Sequence, residues 1–375
     1  MYIHEKANWW DFTYDHHELM CPLAEARAKQ GMLIGKMSIL GLGAQNATTL
    51  ESLSEELVRS AEIEGQILNK TEVRSSLARR LGIDTAGLVP VSHYTEEVVE
   101  MILDATQRYD EPLTHERLFA WHSSLFPSGR SGLYTINVGK YRSGEMQVVS
   151  GPMGMEKVHY EAPSAERVPE EMSRFIEWVN TPDTTDPVLK AAIAHFWFVS
   201  IHPFDDGNGR IGRAISEMLL AHSEGSSRRY YSLSSQILSM QKGYYDTLER
   251  TQRGDGDITE WLLWFLRCLE SAIDRAEESI RNVLGKAKFW DDHSDMEVNE
   301  RQRKLINMQF DGFFGKLTSA KWAKIAKCSQ DTALNDINDL VSKGVLVKSP
   351  SGGRSTNYTL LTQATEETVW FPLLG

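Results

Sequence analysis

The sequence predicts a mainly α-helical fold with one β-hairpin and a small C-terminal domain in which helices precede two strands. Three observations support this prediction. Apolar residues recur at helical spacing through most of the 375-residue chain. One stretch, residues 139–152, instead alternates in the manner of a hairpin strand. Two further helical patterns and two short apolar strands then follow near the end of the chain. A hydrophobic content of 41% is sufficient for two or three domains with separate cores.

The charge and the cysteines exclude several classes of protein. A formal net charge of −12 argues against nonspecific binding to nucleic acid or to a membrane surface. Cys21, Cys268 and Cys328 are far apart and form no C-x-x-C pair, so neither a disulfide framework nor a zinc site is expected. The N-terminus lacks a basic start with an apolar core, and no apolar run reaches the ~18 residues of a membrane span. We therefore expect a cytoplasmic protein without membrane contact.

Residues 1–90 form the first predicted region, an aromatic-rich entry followed by amphipathic helices. The aromatic residues of the entry are Trp9, Trp10, Phe12 and Tyr14. They form either a binding surface or a docking contact with a neighbouring domain, and docking is the favoured interpretation.

The predicted helix at about 50–69 carries a glutamate on its apolar side. At about 100° per residue, Glu64 falls in the middle of one stripe. The other residues of this stripe are Leu53, Leu57, Ser60, Ile67 and Leu68. A buried carboxylate needs a cationic partner, because an unpaired buried charge is strongly unfavourable. The alternative is a glutamate at the rim of the stripe beside any nearby Lys or Arg.

Residues 139–152 are predicted to form a short hairpin because apolar and polar residues alternate there and a Ser-Gly pair supplies a turn signal. The alternating residues are Met146, Gln147, Val148 and Val149, and the turn pair is Ser143 and Gly144. An ordinary surface hairpin is the alternative to a functional one. The helix that follows is predicted to bury Val168, Met172, Phe175, Ile176 and Val179.

The segment HPFDDGNGRIGR, residues 202–213, contains three glycines that spell G-x-G-x-x-G, the pattern of a dinucleotide-binding turn. Its context excludes that interpretation. The preceding run DPVLKAAIAHFWFVSI is too long for an ordinary strand and favours a buried helix. No acidic residue follows at the distance that a dinucleotide site requires.

The same residues favour an anion site. A Gly-Asn-Gly turn, residues 207–209, can direct backbone N–H groups at one anion, and the next helix adds its dipole. Arg210 and Arg213 share one helix face and suit a chain of phosphates. Asp206 is placed to hold Mg²⁺, and His202 remains as a general base. Taken singly, a packed histidine or a solvated pair of arginines is the commoner interpretation, but packing alone does not require three glycines.

This segment resembles the signature of the Fic family at every defined position, His202-Pro203-Phe204-x-Asp206-Gly207-Asn208-Gly209-Arg210-x-x-Arg213. The resemblance implies a mostly helical Fic fold at residues 91–290 and transfer of AMP from ATP to a Tyr, Thr or Ser hydroxyl of a protein, including the enzyme itself. It also implies a role for each residue. His202 deprotonates the target, Asp206 binds Mg²⁺ or Mn²⁺, and Gly207, Asn208 and Gly209 cradle phosphates. Arg213 takes the γ-phosphate, Arg210 helps to hold the nucleotide, and Phe204 anchors the core.

Two other segments resemble Fic proteins less specifically. Ser60-x-x-x-Glu64-Gly65 resembles the inhibitory motif of the family, which places its glutamate against the second motif arginine, here Arg213. The hairpin segment that begins at Gly139 corresponds to a flap that aligns a target segment by strand addition. Tyr244 and Tyr245 either face an adenine ring or belong to the core.

Residues 298–365 resemble a winged helix, with a second helix capped by Ser329 and two strands joined at Gly352 and Gly353. The second helix carries Asp331, Asp336 and Asp339 and has Lys343 as its only base, which disfavours DNA binding. The bases that could still contact phosphate are Lys321, Lys324, Lys327 and Arg354. Partner docking or formation of a homo-oligomer is the favoured role.

Two hypotheses of different class follow. The first is an adenylyl transferase restrained by Glu64. The second is a transcriptional regulator whose Fic core only senses nucleotide. An enzyme of the same site that removes AMP, or that transfers another phosphate-containing group, is a third possibility. The complete motif favours an enzyme, because sensing does not require His202.

Overall fold

The computed structural model describes residues 1–84, 87–151, 155, 157–310, 316–349 and 356–361. The chain divides into two compact units, Met1–Glu277 and Glu278–Gly375, which are described separately. Both are mainly helical, as predicted. The predicted boundaries near residues 90 and 298 remain predictions. None of the helices in the described ranges is long and apolar enough to cross a membrane.

The first unit contains ten α-helices and two short 3₁₀ helices, Ile3–Glu5 and Ala165–Arg167, within the described residues, together with the start of an eleventh α-helix that extends into the second unit. The helices are α1 (His16–Ser38), α2 (Leu42–Ile63), α3 (Lys70–Arg80), α4 (His93–Gln107), α5 (His115–Leu125), α6 (Val168–Asn180), α7 (Pro187–Ile201), α8 (Asn208–Glu224), α9 (Leu233–Ser239), α10 (Gln241–Gln252) and α11 (Thr259–Asp292). The strands are β1 (Arg130–Ser131), β2 (Tyr134–Thr135), β3 (Gln147–Ser150) and β4 (Lys157–Glu161).

Helix α7 lies at the centre of this unit. Asp186 caps its first turn by accepting a hydrogen bond from the backbone N–H of Val188, and Pro187 suits the first helical position. Almost every residue of α7 is buried, and the indole of Trp261 donates to the carbonyl of Ala192 over 2.8 Å. The predicted buried helix is therefore confirmed. The predicted apolar face of α6 is also buried, at Val168, Met172, Phe175, Ile176 and Val179.

Trp9, Trp10 and Phe12 pack against α6 and α7, as the docking interpretation predicted, while the ring of Tyr14 contacts His16. The indole N–H of Trp9, which is 2% exposed, donates to Glu171 over 3.1 Å. Phe12 contacts the ring of Trp197 edge to face. The guanidinium of Arg174 lies 3.6 Å above the ring of Trp10. These contacts fix the start of the chain on the central helices.

Helix α2, which leads to the proposed inhibitory glutamate, is attached to α9 through a buried carboxylate. Glu56 is 2% exposed and accepts hydrogen bonds from the Ser232 hydroxyl over 2.7 Å and the backbone N–H of Ser234 over 2.9 Å. A carboxylate at a helix N-terminus is favourable because it satisfies free N–H groups and the positive end of the dipole. The contact holds α2 in place against the unit.

A hairpin forms as predicted, but its turn was predicted at the wrong position. Strand β3 pairs antiparallel with β4, so the turn lies beyond Ser150 and not at Ser143 and Gly144. The physical reason is Arg142, whose guanidinium donates to the carbonyls of His202 and Gly144 over 2.8 Å each and so holds this segment against the motif. Val149 is 47% exposed, and Pro152 lies outside the described residues.

The second unit contains α12 (Glu300–Phe310), α13 (Ser319–Ala326), α14 (Gln330–Ser342), β5 (Leu346–Lys348) and β6 (Tyr358–Leu360). Strands β5 and β6 pair antiparallel, and Trp322 lies in the core. Ser329 caps α14 as predicted, by accepting from the N–H of Thr332. Gly352, Gly353 and Arg354 lie outside the described residues. The order of elements, helices followed by two paired strands, agrees with the predicted winged helix. The assignment to that fold remains a prediction.

Two acidic residues of α14 form ion pairs within their own unit, and the sequence did not indicate the more buried of the two pairs. Asp336 is 6% exposed and pairs with Arg301, whose Nε lies 2.7 Å from the carboxylate. Asp339, on the same helix, pairs with Lys343 over 2.6 Å. The acidity of this helix is thus largely neutralised inside its own unit.

The buried His195 predicts an acid-sensitive fold. Its ring contacts the Ser216 and Tyr244 hydroxyls, and burial lowers its pKa from 6.5 to about 3. As the pH falls below 6.5, the unfolded chain binds a proton here that the folded chain does not, so stability is lost, by at most about 1.4 kcal/mol per pH unit. We expect the decrease in unfolding free energy between pH 6.5 and 5 to be smaller in His195→Gln than in wild type. Urea titrations of both proteins at the two pH values measure these free energies. An equal decrease in wild type and in His195→Gln would contradict the prediction.

Candidate active site

The motif begins where α7 ends. His202 caps α7 in the left-handed conformation, with φ 51° and ψ 59°, and its N–H donates to the carbonyl of Phe198 over 3.0 Å. The chain then turns back and α8 begins at Asn208. The Asn208 side chain accepts from the N–H of Phe204 over 2.9 Å and donates to its carbonyl over 2.8 Å. Asn208 therefore braces the loop, and its side chain is 2% exposed.

The three glycines of the motif permit close approach. Gly207 has φ 83°, and a Cβ there would lie 2.9 Å from the ring of Phe126. A Cβ on Gly209 would collide with the Glu64 carboxylate, and one on Gly212 would lie 3.0 Å from Val199. Gly209 thus leaves the backbone open to a charged group, as an anion cradle requires, whereas Gly207 and Gly212 make room for the apolar side chains packed against them.

His202 has the tautomer of a general base. Its Nδ1 lies 3.1 Å from the carbonyl of Val199. A carbonyl only accepts, so Nδ1 carries the proton and Nε2 keeps a lone pair. Burial lowers the pKa of His202 below its usual value of 6.5, and the nearby Arg142 adds to this effect. The imidazole is therefore neutral at pH 7 and able to accept a proton.

Arg213 is held by the end of α2. The guanidinium, 2% exposed, donates through Nε to the Ser60 hydroxyl over 2.8 Å. Its Nη2 donates to the Ser60 carbonyl over 2.9 Å and to Glu64 Oε1 over 2.8 Å. Burial opposes the charge of Arg213, but Glu64 together with Tyr244 and Tyr245 outweighs burial, and the pKa of Arg213 is raised. The structure thus brings Ser60, Glu64 and Arg213 together.

The position of Glu64 differs from the predicted one. Helix α2 ends at Ile63, so Glu64 is its C-cap and not the centre of a continuing stripe. Gly65 follows in the left-handed conformation at φ 71° and turns the chain away. Ile67, expected on the stripe, is 96% exposed, whereas Leu68 is buried. The Glu64 side chain is itself 31% exposed, so its carboxylate lies at the edge of the site.

The two arginines of the motif carry buried N–H groups without a partner among the described residues. Arg210 is 3% exposed, and its Nε and Nη2 have no hydrogen-bond partner among the described residues. Nη1 of Arg213 also lacks one within the same ranges. An unpaired buried donor is costly, and an anion bound at the N-terminus of α8 would satisfy several of these groups at once. Glu64 places one carboxylate there already.

Several residues of the site were missed from the sequence. Gln66 accepts from Nη1 of Arg210 over 2.8 Å and from the hydroxyl of Tyr94 over 2.8 Å. The Arg210 guanidinium also lies 4.8 Å from the centre of the Phe126 ring. Arg142 donates through its own backbone N–H to the carbonyl of Pro203 over 2.9 Å. All are contacts between distant parts of the chain, which no local pattern announces.

The acidic residues of the loop have different partners. Asp205 accepts from the backbone N–H of Asn137 over 2.8 Å and from its side chain over 2.9 Å. Asp206 accepts from the N–H of Gly207 over 2.5 Å and from the Ser131 hydroxyl. No group of three metal-binding side chains occurs in the described ranges. A single carboxylate at Asp206 fits Mg²⁺ that is held mainly by phosphate oxygens and water.

The two candidate adenine-facing tyrosines have different environments. Tyr244 is 2% exposed and its hydroxyl contacts Nε2 of His195 over 2.9 Å, which makes it a core residue. Tyr245 is 43% exposed and lies close enough to Glu64 to interact electrostatically. Of the two, Tyr245 is the one that can face a ligand.

The predicted flap residues belong to a hairpin whose leading segment is bound to the motif. The carbonyl of Met146 accepts from the N–H of Ala162 over 2.9 Å, and Gln147 is exposed while Val148 is half-buried. Gly139 is left-handed at φ 68°. The segment between Gly139 and Met146 is the one that Arg142 binds to His202, so the hairpin starts at the base of the site.

Comparison with known families agrees with this geometry. A model described as the Fic/DOC family matches residues 112–220, which include the whole motif at 202–213. The chain contains a Fic domain. A second model, a domain of unknown function named DUF4172, matches residues 2–83.

Curated relatives of this Fic-domain chain are named protein adenylyltransferase Fic. The one from Nematostella vectensis is 22% identical over 60% of this chain and 48% of its own length. The one from Culex quinquefasciatus is 28% identical over 60% of this chain and 41% of its own length. The chain therefore spans less than half the length of these relatives.

Solved structures share the fold. A Fic family protein from Desulfovibrio desulfuricans has a TM-score of 0.51 at 22% identity and covers 91% of this chain and 96% of its own. Fic-1 from Caenorhabditis elegans has a TM-score of 0.50 at 20% identity, over 70% of this chain and 74% of its own. The mostly helical Fic fold predicted from the sequence is confirmed.

Proposed function

We propose that this Fic-domain protein transfers AMP from ATP to hydroxyl groups of proteins. The observation that carries the proposal is the pairing of a neutral base with an anion site in one loop. His202 offers a free lone pair at Nε2, and buried unpartnered N–H groups of Arg210 and Arg213 lie at the start of the next helix. The curated relatives named protein adenylyltransferase support the same reaction.

The chemistry follows from these positions. His202 Nε2 takes the proton of the target hydroxyl, whose oxygen forms a bond to the α-phosphorus of ATP. The bond from that phosphorus to the bridging oxygen breaks, and pyrophosphate leaves. The Gly209 backbone and the guanidinium groups of Arg210 and Arg213 hold the phosphates. Mg²⁺ at Asp206, for which Mn²⁺ is an alternative, would neutralise phosphate charge.

Glu64 restrains this reaction in the proposal. Its carboxylate bonds to Arg213 and lies against Gly209, where a phosphate would sit. ATP can still enter, but its γ-phosphate does not reach Arg213, so the α-phosphorus is not aligned with the attacking oxygen. The restraint therefore acts on the rate more than on the affinity.

The target is proposed to be a protein, with the enzyme itself included, aligned along β3 by strand addition. Residues 298–365 are proposed to dock a partner or to form a homo-oligomer, with DNA binding disfavoured. A nucleotide-sensing regulator remains the alternative from a different class. Removal of AMP from a modified protein is a second candidate reaction, because a carboxylate beside the phosphate site is a group that can orient a water molecule.

Isotopic labelling tests the transferred group. We expect the Glu64→Gly protein, incubated with Mg²⁺ and ATP labelled at the α-phosphate, to become labelled together with added candidate proteins. ATP labelled at the γ-phosphate should label nothing, because pyrophosphate leaves. Transfer of the γ label would instead indicate phosphoryl transfer, and no covalent label from either ATP would contradict the proposed function.

A further inference from the structure

His122 lies between the motif loop and the segment that begins at Gly139, and it belongs to neither. It is on α5, is 0% exposed, and lies parallel to the ring of Phe204, with ring centroids 4.3 Å apart and planes 9° apart. Phe204 follows the catalytic candidate by two positions. The imidazole is therefore fixed in orientation by the motif that it contacts.

The two ring nitrogens of His122 bond to different segments. Nδ1 accepts from the backbone N–H of Gly139 over 3.2 Å. A nitrogen that accepts has no proton, so Nε2 carries it and donates to the carbonyl of Asp206, also over 3.2 Å. One neutral ring thus joins the loop that holds the phosphates to the segment that leads into the hairpin.

Each bond acts at a point where the backbone is free to rotate. The Asp206 carbonyl belongs to the peptide that enters Gly207, which is left-handed at φ 83°. Gly139 is left-handed at φ 68° and begins the segment whose Arg142 binds the carbonyl of His202. Without these hydrogen bonds, both glycine positions would have a wider choice of conformation.

We propose that His122 is a positioning residue, which sets the phosphate-binding loop through Nε2 and the hairpin segment through Nδ1. This inference rests on the proposed function for its meaning, since it assigns the loop to ATP and the hairpin to the target. The alternative is that His122 only fills space against Phe204. The two differ because space filling does not depend on which nitrogen bonds to which segment.

Two substitutions of His122, made in the Glu64→Gly protein, each remove one of its two hydrogen bonds and keep the other. His122→Gln retains an amide donor near the position of Nε2, whereas His122→Asn retains an acceptor near that of Nδ1. We expect His122→Asn to weaken binding of ATP with Mg²⁺ about tenfold, the effect of one lost buried hydrogen bond, while the Gly139 amide stays protected from hydrogen exchange. His122→Gln should show the opposite pattern, with ATP affinity retained and faster exchange at Gly139 and along β3.

His115→Ala is the matched control. His115 lies on the same helix and contacts the Tyr141 hydroxyl over 2.6 Å, but it makes no hydrogen bond to the motif. The ATP affinity of His115→Ala should equal that of the parent, the Glu64→Gly protein without a further substitution. His122→Ala, which removes both hydrogen bonds, is measured beside them. If His122→Gln and His122→Asn have the same ATP affinity and the same amide exchange, whether those of the parent or those of His122→Ala, the positioning role is refuted. A parent that binds ATP yet transfers no AMP refutes the proposed function alone, because binding and exchange still decide the role of His122.

Discussion

Replacement of His202 by alanine is expected to slow AMP transfer by roughly 10²–10⁴-fold, the usual contribution of a general base. The effect should appear in the rate and not in the affinity for ATP, since the Nε2 lone pair of His202 is assigned to the target hydroxyl. Transfer is best followed in the Glu64→Gly protein, where we expect the highest starting rate. Calorimetry of ATP binding on the same samples separates the two quantities.

The left-handed backbone of His202 requires a second variant. Alanine disfavours this conformation, so a loss in His202→Ala alone could come from a displaced loop. Asparagine tolerates it and has no basic nitrogen, so His202→Asn should lose activity to the same extent. Activity retained in His202→Asn would show that the backbone, and not the imidazole, is what the reaction needs.

The pH dependence of the rate gives an independent check on the same residue. Because burial lowers the pKa of His202, fewer than half of the molecules carry a proton on this ring at pH 6.5, where half of the molecules of an ordinary histidine do. The rate should therefore begin to fall only at a lower pH.

Replacement of Glu64 is the second large expected effect, in the opposite direction. Glu64→Gly and Glu64→Gln should both raise AMP transfer, by roughly 10- to 100-fold if the charged hydrogen bond to Arg213 is the barrier that ATP must displace. Glu64→Asp should act partially, because a shorter side chain reaches Arg213 poorly. The rate of label incorporation from ATP, with Mg²⁺ and then with Mn²⁺, measures all three.

Controls for this prediction come from the same helix and the same pair. Glu62 is exposed and pairs with Arg59 over 2.7 Å, so Glu62→Gln should leave the rate unchanged. The double variant Glu64→Gly, Arg213→Ala should lose the gain, since the phosphate clamp is then broken. A Glu64→Gly rate equal to that of wild type with either metal would make Glu64 a rim residue only.

Removal of AMP would also raise net modification when Glu64 is lost. To separate the two explanations, wild-type protein without ATP is added to a sample that already carries AMP. Restraint alone predicts no release of AMP, whereas release would assign Glu64 to the reverse reaction as well.

Local patterns predicted most of the site, and long-range contacts limited the rest. The motif at 202–213 could be interpreted because its glycines, carboxylates and arginines lie within a few turns of one another. The Glu64–Arg213 pair, separated by 149 positions, depended on a resemblance to known proteins. Gln66, Arg142 and His122 act through hydrogen bonds to distant backbone or side-chain groups, and sequence spacing carries no signal for them.

The two errors in the prediction have different origins. The stripe through Ile67 assumed that α2 continues, but Gly65 turns the chain away after Ile63. The hairpin turn at Ser143 and Gly144 was a valid local signal, and the buried guanidinium of Arg142 overrides it. The first error overlooked a local stop signal, the left-handed glycine that ends the helix, whereas in the second the local preference was weaker than one tertiary contact.

The place of Glu64 at the end of α2, and not inside it, determines how the site can open. Helix α2 is anchored to α9 by Glu56, while the residues after Ile63 are held at the site through Glu64 and Gln66. A swing of this short connection would clear the guanidinium groups without melting or sliding any helix. Motions of that size occur in nanoseconds to microseconds. The connection would then exchange between closed and open forms on that timescale. A partner that binds the open form would set the level of the proposed activity by raising the population of that form.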